Sequence, residues 1–223
     1  GSSLCRCERE REIEVEEMED DALDRDARIK LSIGTKKRGT ADGMFSWPRC
    51  LAFDHHRDLL LVVDYHHRVQ VFSCDDGSFV SKFGEKGRQP GKLYQPSGVA
   101  IDHDRDRILV VDSGNCRVQS WSLSDQSFLF CIGGFFDPRG IAIDKHHHRI
   151  VIADTFNNRL VFLSSIDLSF LFEIGNQGSL PGEFYHPSSV AIDHDRHRII
   201  VTDPSNHRLV FLSLIDGSFL FEF

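Results

Sequence analysis

The chain has 223 residues and a formal net charge of −8, with 40% hydrophobic and 27% charged residues. This composition is typical of a globular protein with a sizeable core, and no run approaches the roughly 18 apolar residues of a membrane-spanning helix. The six cysteines do not recur at equivalent positions of the sequence repeat described below. They therefore predict reduced thiols and a cytosolic or nuclear compartment, and we take the protein to be cytoplasmic.

The charge is concentrated at the start of the chain. Residues 1–26 contain four arginines and eleven acidic residues, and their few apolar residues follow no sustained helical or strand period. Such a stretch cannot bury enough apolar surface to offset the entropy lost on ordering. Residues 1–27 are therefore predicted to be a disordered acidic tail or linker, with a partner-binding role as the alternative, and residues 28–223 to be the folded domain.

The folded domain is predicted to be a repeat of one four-strand unit. Four short apolar runs, rich in Val and Ile and separated by turn residues, recur in the same order at about residues 48–84, 96–133, 138–175 and 187–223. Runs of this length and composition are typical of strands. The run IKLSIG at residues 29–34 matches only the end of a repeat, and it predicts a stray outer strand.

A four-stranded meander with two apolar faces must stack against neighbouring units, and repeats of 42 to 49 residues with four strands each are typical of propeller blades. We therefore predict an all-β fold, a β-propeller of four-stranded antiparallel blades. Four blades are present, so the ring is expected to be partial or open. An uncovered blade face would expose apolar side chains, so self-association is also expected.

Each of the last three repeats carries the pattern D-x-x-N-x-R between its second and third strands. With the flanking P-x-G-[IV]-A-I-D and S-F-L-F-x-[IF]-G, this pattern resembles the NHL repeat over residues 28–223. The residues of the pattern are Asp112, Asn115, Arg117, Asp154, Asn157, Arg159, Asp203, Asn206 and Arg208. Because the pattern recurs in each blade, we interpret it as a structural turn set, in which Asn suits a left-handed position and Asp accepts turn amides or pairs with Arg.

The resemblance implies a propeller that usually has six blades and that recruits a target for other domains, as in tripartite-motif ubiquitin ligases. Some enzymes of this fold hold a metal on the axis, at the start of the innermost strands. The residues at that level here are Arg49, Ser97, Arg139 and Ser188, and none is a carboxylate or an imidazole. We therefore predict no catalytic residues, no metal and no cofactor, with a central metal enzyme as a third alternative.

Twelve histidines raise a second metal hypothesis. Eight of them lie in the turns between first and second strands. The turns of adjacent blades are expected to be too far apart to share an ion, so these histidines are interpreted as solvated.

The connections between repeats and the loops after each second strand are expected to share one end of the ring. Basic and aromatic residues collect there, while acidic and histidine-rich turns collect at the other end. We predict that this first end binds a protein partner, with single-stranded RNA as the alternative ligand. The predicted ligand-binding face consists of Lys36, Lys37, Arg38, Trp47, Arg49, Lys86, Arg88, Lys92, Tyr94, Phe136, Arg139, Tyr185 and His186. Trp47, Tyr94 and Tyr185 are alternatively interpreted as plugs of the ring end.

Overall fold

A computed structural model of the protein describes residues 32–34 and 38–223. The predicted acidic tail at residues 1–27 and the first half of the predicted stray strand, residues 29–31 of 29–34, lie outside the described residues, and residues 32–34 form no strand. In the described part, sixteen strands form four separate four-stranded sheets. Within each sheet the strands pair antiparallel in chain order, which confirms the predicted blades.

The four blades have closely matching strand boundaries. Blade 1 contains β1 (Cys50–Asp54), β2 (Leu59–Asp64), β3 (Arg68–Ser73) and β4 (Phe79–Phe83). Blade 2 contains β5 (Gly98–Asp102), β6 (Arg107–Asp112), β7 (Arg117–Ser122) and β8 (Phe128–Gly133). Blade 3 contains β9 (Ile141–Asp144), β10 (Arg149–Asp154), β11 (Arg159–Ser164) and β12 (Phe170–Ile174). Blade 4 contains β13 (Ser189–Asp193), β14 (Arg198–Asp203), β15 (Arg208–Ser213) and β16 (Phe219–Glu222).

Short 3-10 turns connect the second and third strands of the last three blades, at Ser113–Asn115, Thr155–Asn157 and Pro204–Asn206. The left-handed residue of the first of these turns is Cys116, with a φ of 55°, and not the preceding Asn115. The predicted left-handed asparagine is therefore wrong by one position. Asn115 lies inside the turn because its amide bonds to the carboxylate of Asp112 at 2.8 Å.

Apolar side chains fill the space between neighbouring blades. Three hydrophobic clusters lie between blades 1 and 2, blades 2 and 3, and blades 3 and 4. In the part of the chain that the structure describes, no such cluster joins blade 4 to blade 1. The outer face of blade 4 consequently exposes Leu209, Phe221 and Phe223, whose side chains are 40%, 37% and 79% accessible.

Arginines also join each blade to the next. Arg57 Nη1 of blade 1 donates to the carbonyl of Leu123 in blade 2 at 3.3 Å, and Arg107 of blade 2 donates to the carbonyl of Ser165 in blade 3. Each of these arginines also pairs with the aspartate that ends the first strand of its own blade. Each arginine is therefore fixed by an aspartate of its own blade and at the same time bonds to a backbone carbonyl of the next blade.

Candidate functional site

The connections that lead into β1, β5 and β9 lie beside the loops that follow β2, β6 and β10. Backbone hydrogen bonds join them: the amide of Tyr65 donates to the carbonyl of Ser46 at 2.8 Å, and that of Gly114 donates to the carbonyl of Tyr94 at 2.9 Å. The amide of Phe156 bonds in the same way to Phe136, at 3.0 Å. We call this end of the propeller the connection face.

The D-x-x-N-x-R residues fasten each connection to its blade. In blade 2, Asp112 Oδ1 accepts the backbone amide of Tyr94 at 2.6 Å, while Asp112 Oδ2 accepts Arg117 Nε at 2.7 Å. Equivalent amide bonds reach Asp154 and Asp203, each at 2.7 Å. The aspartates are fully buried, so they orient the connection face and are not available as its ligand-binding groups.

Four equivalent positions, one from each blade, surround a cavity of about 540 Å³ on the axis. They are Arg49, Ser97, Arg139 and Ser188, each of which immediately precedes or lies close to an innermost strand. Ser97 Oγ is bonded to the carbonyl of Arg139 at 3.0 Å, and Ser188 Oγ to Thr202 Oγ1 at 2.9 Å. The two serines are therefore held by the protein, which leaves the two guanidinium groups as the charged groups of the cavity.

Trp47 stands beside Arg49 at the entrance of this cavity. Its side chain is 69% exposed, so the interpretation of Trp47 as a plug is wrong. Arg49 lies over the ring of Tyr65, 5.8 Å from its centroid, and a second cavity of about 390 Å³ is lined by Arg38, Trp47, Arg49 and Tyr65. Arg38, Trp47 and Arg49 are exposed, so this cluster of guanidinium groups and aromatic rings is accessible to a ligand.

Arg139 occupies the corresponding position in blade 3. It pairs with Asp137 at 3.0 Å and lies 6.0 Å from the ring centroid of Phe156. Phe156 in turn meets Phe136 edge to face, at 5.3 Å, and both rings are exposed. Tyr65 and Phe156 were not predicted as site residues, although both closely follow the turn aspartate of their blade, Tyr65 as the first residue after Asp64 and Phe156 as the second after Asp154.

The remaining predicted residues lie apart from the axial cavity. Lys86 lies 6.0 Å from the ring of Tyr94, which stacks on His67 at 5.2 Å, and Lys92 forms an ion pair with Glu85. Further members are spread over the outer part of the connection face, with Arg88 exposed, Tyr185 38% exposed and His186 bonded to Ser205. Lys36 and Lys37 lie outside the described residues.

The histidine-rich turns at the opposite end are closer together than predicted. His56 of blade 1 and His103 of blade 2 have ring centroids 4.1 Å apart, and His146 and His194 of blades 3 and 4 are 4.4 Å apart. The expectation that turns of adjacent blades are too far apart is therefore wrong, because their side chains lean across the interface. Within residues 32–34 and 38–223, no group of three or more His, Cys, Asp or Glu residues is arranged to hold a metal ion.

Comparison with known proteins identifies the architecture. A family model described as a 6-bladed beta-propeller matches residues 52–134 and 140–223. A search of curated proteins found no match. Within the described residues, no helix has the length and apolar character needed to cross a membrane.

Three solved structures are similar to the chain, each with a TM-score of 0.65. Kuenenia stuttgartiensis hydrazine synthase is 14% identical and aligns with 86% of this chain and 52% of its own; U3-55K is 14% identical, with 82% and 52% aligned. The WD40 repeats of RRP9 are 12% identical, with 85% and 55% aligned. The chain thus spans about half the length of these proteins, and identities this low show a shared fold alone. Since the family model matches more than half of the chain, the protein belongs to the 6-bladed beta-propeller family.

Proposed function

We propose that the protein is a non-enzymatic recognition platform that binds a protein partner through the connection face. The observation that carries this proposal is that Arg49 and Arg139 both line the axial cavity, with the exposed ring of Trp47 at its entrance. Arginine and tryptophan are the residues most enriched at the energetic centres of protein interfaces. The resemblance of the repeats to the NHL repeat supports the same proposal, because the propeller recruits the target in tripartite-motif ubiquitin ligases with similar repeats.

The chemistry of the cavity favours an acidic segment of the partner. A guanidinium group recognises a carboxylate through two parallel hydrogen bonds. Among the described residues, Arg49 has no ion-pair partner, and its contact with the Tyr65 ring leaves its donors free to bind a carboxylate. We therefore propose that Arg49 and Arg139 bind Asp or Glu side chains, while Trp47 packs against an apolar neighbour in the same segment.

The experiment compares the binding of acidic peptides to four proteins. Peptides that contain two Glu residues flanking a Leu would be titrated into the wild type, Arg49→Ala, Arg139→Ala and Arg196→Ala. Arg196 is the control because it is 69% exposed at the opposite end of the propeller. We expect each cavity variant to lose about 2 kcal/mol of binding free energy, as hot-spot residues do, and the control to bind as the wild type does. Equal affinity for all four proteins would refute the proposal.

Single-stranded RNA is the second candidate ligand, and the arrangement around Tyr94 favours it. The stacked rings of His67 and Tyr94, with Lys86 beside them, offer a stacking surface next to a positive charge. RNA binding predicts that the affinity for a labelled oligouridylate falls steeply between low and physiological salt, because phosphate contacts release counterions. An affinity that is insensitive to salt would count against RNA.

The cysteines support a cytoplasmic location. Cys50, Cys74, Cys116 and Cys131 are free thiols, and none of these four described cysteines forms a disulfide. Proteins that keep their cysteines reduced are typical of reducing compartments. Fluorescence microscopy of the tagged protein would test this part of the proposal.

A further inference from the structure

We propose that blade 3 carries an empty binding site for a β-turn of sequence x-Pro-Gly-x supplied by a partner protein. In each of the other three blades, the equivalent part of the outer surface is covered by a turn from the connection that leads into that blade. We call this surface the turn seat. It lies away from Arg49 and Arg139, so the inference is independent of the function proposed above.

Three turns of the same form occupy the seats of blades 1, 2 and 4. In blade 2, the amide of Lys92 donates to the carbonyl of Gln89 at 3.0 Å, and Gly91 has a φ of +79°. A bond between the first and fourth residues with a positive φ at the third defines a type II turn, which favours Pro followed by Gly. The other two turns span residues 41–44 and 180–183, with glycine φ values of +78° and +82°.

One arginine of each blade holds this turn by its carbonyl oxygens. Arg117 donates to the carbonyls of Arg88, Gln89 and Lys92 at 3.0, 2.8 and 2.7 Å. Arg208 in blade 4 donates in the same way to Ser179, Leu180 and Glu183, and Arg68 in blade 1 donates to Thr40, Ala41 and Met44. Three carbonyl acceptors per arginine are thus the normal state of an occupied seat.

Blade 3 has the arginine but not the turn. Its connection is the short GGFFDP, and Arg159 bonds to a single carbonyl within the described residues, that of Gly134 at 3.4 Å. Arg159 also bonds to Glu173 at 2.5 Å. This ion pair does not block the seat, because Arg208 makes the same bond to Glu222 at 2.6 Å while it holds its turn.

A groove of about 330 Å³ marks the empty seat. Its floor is apolar, with Val161, Leu163, Leu168 and Phe170, and Arg159 lies at its edge. The side chain of Phe170 is 59% exposed, whereas the equivalent Phe128 of blade 2 is half-buried. In blade 2 the turn covers this ring: a Cβ placed on Gly91 would lie 3.5 Å from Phe128. The groove therefore has the same kind of lining as the turn seat of blade 2, but no turn of the described chain covers it.

The occupant that fits is a turn from another protein. The described turns of this chain already hold their own seats, so a matching turn must come from a partner. The groove would accept a Pro-Gly turn whose carbonyl oxygens accept hydrogen bonds from Arg159 and whose proline ring packs on Phe170. A β-branched residue in place of the glycine is excluded because it would be strained at a positive φ.

The test uses the chain's own turn as the probe. A labelled peptide of residues 178–186, GSLPGEFYH, would be titrated into the whole protein, and binding would be followed by fluorescence anisotropy and by NMR shifts. We expect saturable binding with shifts at Phe170 and Leu168. The same peptide with valine at the glycine of the turn should bind about tenfold more weakly, while one with D-alanine there should retain affinity.

Two protein variants complete the test. Phe170→Asp should reduce the affinity by about tenfold, and Ile215→Asp, an equally exposed apolar residue with 70% accessibility on blade 4, should not. A chimaera with residues 176–183 inserted between Gly134 and Phe135 should fill the seat and lose binding. Absence of saturable binding, equal affinity for Phe170→Asp and the wild type, or unchanged binding by a folded chimaera would overturn the proposal.

Discussion

Arg149 of blade 3 donates a hydrogen bond to the backbone carbonyl of Leu214 in blade 4, across the interface between the two blades. The same guanidinium pairs with Asp144 at 2.7 Å, and both side chains are buried. In blade 4 the equivalent arginine is Arg198, which pairs with Asp193 at 2.8 Å but bonds to no carbonyl within the described residues. The two arginines thus differ because Arg149 faces a following blade whose carbonyl accepts its hydrogen bond, whereas Arg198 faces no following blade among the described residues.

This difference predicts unequal costs of removing the two arginines. Arg149→Met leaves the buried Asp144 without its guanidinium partner and bonded only to the amide and ring of His147, so we expect a loss of about 3 kcal/mol in the free energy of unfolding. Arg198→Met removes a partly exposed pair, and we expect about 1 kcal/mol or less. Urea unfolding of both variants measures this difference. Equal losses would contradict the conclusion that the arginine joins adjacent blades.

The histidine contacts predict that the protein loses stability in acid. Burial lowers the pKa of His103, and the positive charges of Lys145 and Arg57 and the ring of His56 lower it further, against an opposing effect of Asp54. A histidine whose folded pKa lies below 6.5 is protonated more readily when unfolded. Its contribution to stability is therefore present above pH 6.5 and is lost as the pH falls below that value.

Chemical unfolding between pH 7.5 and 5 checks this prediction. His103→Gln should show a smaller decrease in unfolding free energy over this range than the wild type does. His55→Gln is the matched control, because His55 is exposed in the neighbouring turn of blade 1. A wild-type profile that does not change below pH 6.5 would refute the role of His103.

The strands and the residues at the axis could be predicted from the sequence, because both follow from the repeat. The third strands begin at Arg68, Arg117, Arg159 and Arg208 as the pattern predicts. Aligned repeats also placed Arg49 and Arg139 at the same level of the ring. These features depend only on the position of a residue within its own repeat, which the alignment of the repeats provides.

Contacts between blades could not be predicted in this way. The bond from Arg149 to Leu214 joins residues 65 positions apart, and its existence depends on the angle between two sheets. The same angle brings His56 onto His103, which sequence reasoning placed too far apart. The short connection before blade 3 was visible in the sequence, but the groove beside Phe170 follows only from the occupied seats in the other blades.

The exposed face of blade 4 predicts self-association. The rings of Phe211 and Phe221 stack at 4.5 Å, as those of Phe162 and Phe172 do at 4.3 Å in blade 3, but only the pair in blade 3 is covered by a following blade. Exposed apolar surface of this kind drives association. We expect sedimentation velocity to show a mass that increases with concentration, and Phe221→Asp to reduce that increase. A wild type that stays monomeric at all concentrations would exclude this interface.

The inner strands of blades 3 and 4 approach so closely at Gly140 that adding one methyl group there is expected to lower the free energy of unfolding. A Cβ on Gly140 would lie 2.8 Å from the Cα of Ser189 and 2.9 Å from the carbonyl oxygen of Ser188. These are backbone atoms of blade 4, which cannot move without opening the interface, so Gly140→Ala should cost about 2 kcal/mol of unfolding free energy. Ser189 holds the equivalent position in blade 4 and is exposed, so Ser189→Ala should change stability by less than about 0.5 kcal/mol. If thermal and urea unfolding gave Gly140→Ala the stability of the wild type, blades 3 and 4 could not be packed this closely at the axis.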